Sequence, residues 1–185
     1  MEIKQTAEIL KKGGIILYPA DTVWGIGCDA CNDKAVERIF ALKQRTDGLS
    51  MLTLVADFDM IARYVRRLPD IAADLVSGSD KPLTVIYPDA TGMAAGITAS
   101  DGSVGIRVTS HDFCVKLIRA LDRPLVSTSA NISGRPSPKT FDEISDEIKT
   151  GVDFTVPRRF EGKMTGKPSS IIKLGPAGEV KTIRP

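Results

Sequence analysis

The chain has 185 residues, 42% of them hydrophobic and 26% charged, with a formal net charge of +2. That balance is ordinary for a soluble globular protein and excludes neither an enzyme nor a binding module, and the length suits one domain, residues 1–185, around one core. No apolar run reaches membrane-spanning length and "MEIKQTAEILKKGG" is too polar for a signal peptide, so a cytoplasmic location with no membrane partner is expected.

In chain order, "TAEILKK" predicts a helix that Gly13-Gly14 stops, "IILYP" a strand and "ADTVWGIGCDACN" a loop. Asp33 is the expected N-cap of a helix whose apolar face carries Val36, Ile39 and Phe40, with Lys43 at its end. "MLTLV" reads as a strand, 57–67 and 69–77 as helices, and "LTVIY" and "VGIRV" as strands. An amphipathic helix over 112–121 leads into "PLVSTSANISG", where Leu125 and Val126 form a short core strand. Thr140 and Glu143 suit a capping box before another helix, and "SSIIKL", "GPAG" and "EVKTIRP" a closing hairpin. The alternation predicts an α/β domain with mixed strand directions.

Several motifs nearly match. Gly25, Gly27 and Ala30 satisfy G-x-G-x-x-A, yet the helix starts too late to hold a pyrophosphate, and Asp29 adds a negative charge. "GKMTGKPSS" has three residues between Gly162 and Gly166, one short of a Walker A loop, and Pro168 stands where the magnesium-binding hydroxyl belongs; a mobile loop is expected. His111 is the only imidazole and nothing in the sequence ties it to a serine nucleophile. Cys28, Cys31, Cys114 and His111 formally allow a Cys3His zinc site, but one C-x-x-C with distant residues favours small buried thiols.

Three features stay open at this level. Lys43 and Arg45 of "KQR" suit either the negative end of a helix dipole or a phosphate. Arg107, flanked by Ile106 and Val108 on a strand, must face solvent, pair with a carboxylate, or meet an anionic ligand. The hydroxyls of Ser127, Thr128 and Ser129 and the amide of Asn131 are either turn residues bonding their own backbone or a polar floor at a strand end, where ligands of open α/β sheets sit.

Taken together, "YPADTVWGIGCDA", "ALKQRTDGLSMLTLV", "KPLTVIY", "SVGIRV", "PLVSTSANISGRPSP" and "KPSSIIKL" resemble the YrdC-like family, the L-threonylcarbamoyladenylate synthases, in order and over nearly the whole chain. The resemblance implies an open, twisted, mixed sheet flanked by helices, with a concave ligand-binding face. It implies a nucleotidyltransferase that makes threonylcarbamoyl-AMP and pyrophosphate from L-threonine, bicarbonate or CO2, and ATP with Mg2+. Downstream threonylcarbamoyl-transfer proteins would then modify tRNA. Carried over residue by residue, it assigns Lys43 and Arg45 to the triphosphate, Ser129, Asn131 and Arg184 to the nucleotide, and Thr22, Arg107, Ser127 and Ser169 to threonine. It names no metal ligand from the protein and no obligatory catalytic side chain, only charge stabilisation by Lys43 and Arg45.

The chain departs from the family pattern at several positions. Ala20 and Trp24 replace a threonine and a tyrosine, "SDKP" stands where W-P-G-P is usual, Ser170 replaces threonine, Thr46 a proline, and Leu54 a histidine that some members carry. Two other readings compete. One is a module for double-stranded or structured RNA, disfavoured by the 5% aromatic content and the lack of an RNP-like motif. The other is a carbamoyl-transfer domain of the hydrogenase-maturation type, which is found within much longer chains.

Overall fold

The computed structural model describes residues 2–46 and 51–185. Its elements are α1 (Glu2–Lys11), β1 (Ile16–Pro19), β2 (Trp24–Gly27), α2 (Asp33–Leu42), β3 (Leu52–Val55), α3 (Phe58–Ile61), α4 (Ile71–Ser77), β4 (Leu83–Tyr87), β5 (Val104–Val108), α5 (Asp112–Leu121), β6 (Leu125–Ser129), α6 (Asp146–Gly151), β7 (Phe154–Thr155), β8 (Ser170–Leu174) and β9 (Val180–Arg184). The strands form one sheet in the order β7-β1-β2-β6-β3-β5-β4-β8-β9. The β1/β7, β3/β5 and β4/β8 pairs are parallel and the rest antiparallel, so the sheet is mixed.

Helix spacing explains one layer. On α5 Phe113, Cys114, Leu117, Ile118 and Leu121 fall three or four apart and are all buried, as one apolar stripe requires. The stripe lets α5 pack on both α1 and β3, where each fully buried large side chain contributes about 1.5–3 kcal/mol. Asp122 then ends the helix in the left-handed region, φ 57°.

Strand register explains the other face. Leu52 pairs with Ser127, and Ile86 pairs with both Gly105 and Lys173. Leu52 also lies beside Gly105, so Ser127, Leu52, Gly105, Ile86 and Lys173 make one row across five strands, about 19 Å wide at the usual strand spacing. Two residues further along β5 and β4 stand Arg107 and Thr84, with Ile171 beside Thr84. Period-two alternation puts these on the same face.

The structure departs from the sequence reading in particular places. The expected loop 20–32 contains β2, where a Cβ on Gly27 would lie 2.5 Å from the Val126 carbonyl oxygen and 2.7 Å from Tyr18 Cε1, so the close approach needs glycine. The N-cap of α2 is Asn32, whose side chain accepts the Ala35 N–H, and not Asp33. The helix expected over 57–67 ends at Ile61, and Val65 instead bridges to Ala90. β6 runs through Ser127, Thr128 and Ser129, so these hydroxyls belong to a strand and not to a turn. Thr140 starts no helix; the Glu143 carboxylate accepts the Lys139 N–H at 2.7 Å, and α6 begins at Asp146. The two-residue β7 was not legible in the sequence. Residues 47–50, the "DGLS" of the quoted block, lie outside the described residues. Among those described, no helix is long and apolar enough to cross a membrane.

Candidate functional site

The inward face of the sheet is the floor of a cavity of about 780 Å3. Its walls come from the turn after β1, the segment after α2, the loop after β6, and the approach to β8. The Walker-like stretch supplies part of the last wall. Thr165 and Gly166 donate their N–H groups to the carbonyls of Asp21 and Thr22, each at 2.9 Å, which ties the expected mobile loop to the strand end. At φ 66°, Gly166 occupies the left-handed backbone region that favours glycine.

At one end of the cavity lies Arg107, 2% exposed. Its Nη2 donates to Oδ1 of Asp21 at 2.8 Å and approaches the Thr22 hydroxyl at 3.5 Å. Nε is buried and has no protein acceptor among the described residues. A buried N–H without a partner costs about 1–3 kcal/mol. Around it stand small hydroxyls: Thr22, Ser127, and the Thr84–Ser169 pair, whose oxygens are 2.7 Å apart. Arg184 donates Nε and Nη2 to the Ser169 carbonyl at 2.9 and 2.7 Å. Burial, and then the charge of Arg107, hold the Arg184 guanidinium below its ordinary pKa.

Towards the other end, Arg45, Ser129, Ser137 and Lys139 line the wall. The Arg45 guanidinium also lies 5.8 Å from the Phe40 ring centroid. Lys43 behaves differently. It is 3% exposed, and Nζ donates to the carbonyls of Ser129 at 2.5 Å and Asn131 at 2.6 Å. Burial, with Arg45 as a second cause, brings its pKa down to about 8. Asn131 is turned the same way: its amide donates to the Ile132 and Arg135 carbonyls at 3.0 and 2.7 Å. Lys43 and Asn131 therefore brace the cavity wall from behind, whereas Thr22, Arg45, Arg107, Ser127, Ser129, Ser169 and Arg184 line it.

The third chemical feature was missed in the sequence. Asp101 accepts Lys173 Nζ at 2.5 Å and both the N–H and hydroxyl of Ser103, at 3.0 and 2.6 Å, and these bonds hold its carboxyl well below the usual range. Lys173 had a legible signal, since "SIIKL" alternates and places it on the face of Ile171. Asp21 had none, because its partner Arg107 is 86 residues away in sequence.

Nucleophilic and metal chemistry find little here. Cys28 and Cys114 are buried, and burial raises both thiol pKa values. His111 Nε2 is 3.0 Å from the Glu161 carbonyl. Among the described residues no group of three His, Cys, Asp or Glu side chains could hold a metal ion, so the zinc arrangement does not form.

Residues 8–185 match the Sua5/YciO/YrdC family model, described as "Telomere recombination". The threonylcarbamoyl-AMP synthase of Halorhodospira halophila is 34% identical over 161 residues, 86% of this chain and 84% of that protein. The protein of the same name from Stutzerimonas stutzeri is 34% identical over 185 residues, 99% of this chain and 96% of that one. Among solved structures, P. abyssi Sua5 complexed with L-threonine superposes with a TM-score of 0.85 at 27% identity, covering 94% of this chain. This chain spans about half the length of that protein, 51%.

Proposed function

Because this chain belongs to the Sua5/YciO/YrdC family, we propose that it is a threonylcarbamoyl-AMP synthase, a nucleotidyltransferase acting on L-threonine, bicarbonate or CO2, and ATP. The observation that carries this reading is a single cavity with two chemically different ends. One has the buried, partly unpaired Arg107 among hydroxyls, and the other has Arg45, Lys139 and Ser129. A zwitterionic amino acid suits the first and a polyphosphate the second.

In the proposed reaction the threonine nitrogen bonds to the carbon of CO2 and loses a proton. A carbamate oxygen then attacks the α-phosphorus, and the bond to the pyrophosphate leaving group breaks. Neither step asks for a protein nucleophile, in keeping with the burial of Cys28 and Cys114 and the engaged imidazole. The chain's part is to orient the reactants and offset charge. Arg107 with Thr22, Ser127 and Ser169 would hold threonine; Arg45 and Ser129 would face the nucleotide, on a wall braced by Lys43 and Asn131; and Arg184, bonded to the Ser169 carbonyl at the threonine end, would lie where the nucleotide's phosphates meet threonine. Magnesium would enter on the triphosphate as part of the substrate. The product would pass to threonylcarbamoyl-transfer proteins and on to tRNA, in the cytoplasm.

The observations favour this over an RNA-binding module. The exposed Arg63, Arg67, Arg119 and Arg158 are each paired with an aspartate at 2.8–3.5 Å, which leaves fewer uncommitted cations for a phosphate backbone. The test is pyrophosphate release from ATP with magnesium and bicarbonate. Release should depend on threonine, and release indifferent to threonine rejects the proposal.

A further inference from the structure

Arg107 is held from the side away from the cavity. Asp21 Oδ1 accepts its Nη2 at 2.8 Å, Oδ2 accepts the Thr109 hydroxyl at 3.3 Å, and that hydroxyl accepts the His111 N–H at 3.2 Å. These side chains belong to residues only 2–8% exposed. Asp21 does not reach the main cavity. It borders a separate hollow of about 300 Å3, together with Lys81, Pro82, Thr109 and Ser110. The carboxylate thus lies behind the guanidinium as a ligand in the main cavity would meet it.

Resting on the synthase reading, we propose that Asp21 is the positioning and specificity-determining residue for the amino-acid substrate. It fixes the Arg107 guanidinium at the cavity wall, and it reduces the local charge to what one carboxylate needs. The guanidinium is planar, so holding Nη2 restrains the plane in which its remaining N–H groups lie. The charge argument is a count. Arg107 and Arg184 both border this end of the cavity and Asp21 lies behind it, which leaves one net positive charge. Without the carboxylate there would be two, a better match to a dianion. Phosphate groups accompany every ATP that enters this cavity, so a doubly positive pocket would draw them into the space threonine must occupy.

The experiment uses the full chain carrying Asp21→Asn, which conserves volume and removes the charge, with steady-state pyrophosphate release as the assay. The expected result is a rise of about tenfold or more in the threonine KM with the ATP KM within about twofold of wild type. Inorganic phosphate should also become a stronger inhibitor competitive with threonine. Thr109→Val, which frees only one carboxylate oxygen, should shift the same parameter less. A threonine KM unchanged in Asp21→Asn overturns the proposal, as does an equal rise in both KM values, the mark of general loosening. If Asp21→Asn does not fold, Thr109→Val decides by the same split between the two KM values. Failure of the synthase reading is separable: wild type would then lack threonine-dependent release, and calorimetric titration with threonine would decide, with weaker binding to Asp21→Asn supporting the inference and equal binding overturning it.

Discussion

Replacing Lys43 by methionine deletes the ammonium while keeping most of the aliphatic stem. The resemblance assigns Lys43 to the triphosphate, but its Nζ is bonded to the Ser129 and Asn131 carbonyls at 2.5 and 2.6 Å. Removing the donor leaves the Asn131 carbonyl unsatisfied, at about 1–3 kcal/mol, while the Ser129 carbonyl still accepts the Asn131 N–H at 2.9 Å; the loss is partly offset because an ammonium no longer has to be desolvated. A net loss of about 1–2 kcal/mol corresponds, at this chain length, to a melting temperature lower by roughly 2–4 °C per kcal/mol. Arg45→Ala, on the cavity wall, should instead weaken ATP binding by about 1.5–3 kcal/mol with a smaller effect on melting. Thermal unfolding and ATP titration of both variants make the comparison. Melting of Lys43→Met within about a degree of wild type, with ATP affinity lost as in Arg45→Ala, would refute the bracing role. The pH dependence supplies a second check. A folded pKa of about 8 lies below the ordinary 10.5, so between these values the native chain binds fewer protons than the unfolded one. Stability of wild type relative to Lys43→Met should therefore rise as pH increases through that window, because the cost of burying the cation is being removed.

Two glycines should separate folding from binding. Gly27→Ala would press a methyl onto the Val126 carbonyl and Tyr18 and cost about 1–3 kcal/mol, read as a lower melting temperature. Gly105→Ala meets Leu52 Cβ and Thr84 Cγ2 at 3.6 Å and Leu52 Cα at 3.8 Å, ordinary contacts, so it should melt normally yet bind ATP or threonine more weakly because the methyl occupies the cavity floor. A small thiol reagent at mildly alkaline pH should modify the half-buried Cys31 first and reach Cys28 and Cys114 only on unfolding, as mass spectrometry would show.

The strands and helices that were legible had one clear period. β4, β5 and α5 lie where alternation or helical spacing put them, at Leu83–Tyr87, Val104–Val108 and Asp112–Leu121. The misreadings arose where tertiary contact overrides local preference. Two glycines make "WGIG" look like a loop, yet they let β2 approach Tyr18 and β6. The hydroxyls of β6 look like turn formers, but pairing with β3 and β2 extends the strand through them. At the site, Arg45, Arg107 and the serines marked by the resemblance line the cavity, while the inward turn of Lys43 was not legible. Its direction depends on carbonyls 86 and 88 residues away, and no local pattern encodes them.

The order of synthesis adds a consequence. β1 pairs with β7 and β2 with β6, joining residues more than 100 positions apart, and Arg184 reaches back to Ser169 to close the cavity rim. A nascent chain would carry an incomplete, sticky sheet until the β8–β9 hairpin had been made, so substrates could aid folding only from that point on.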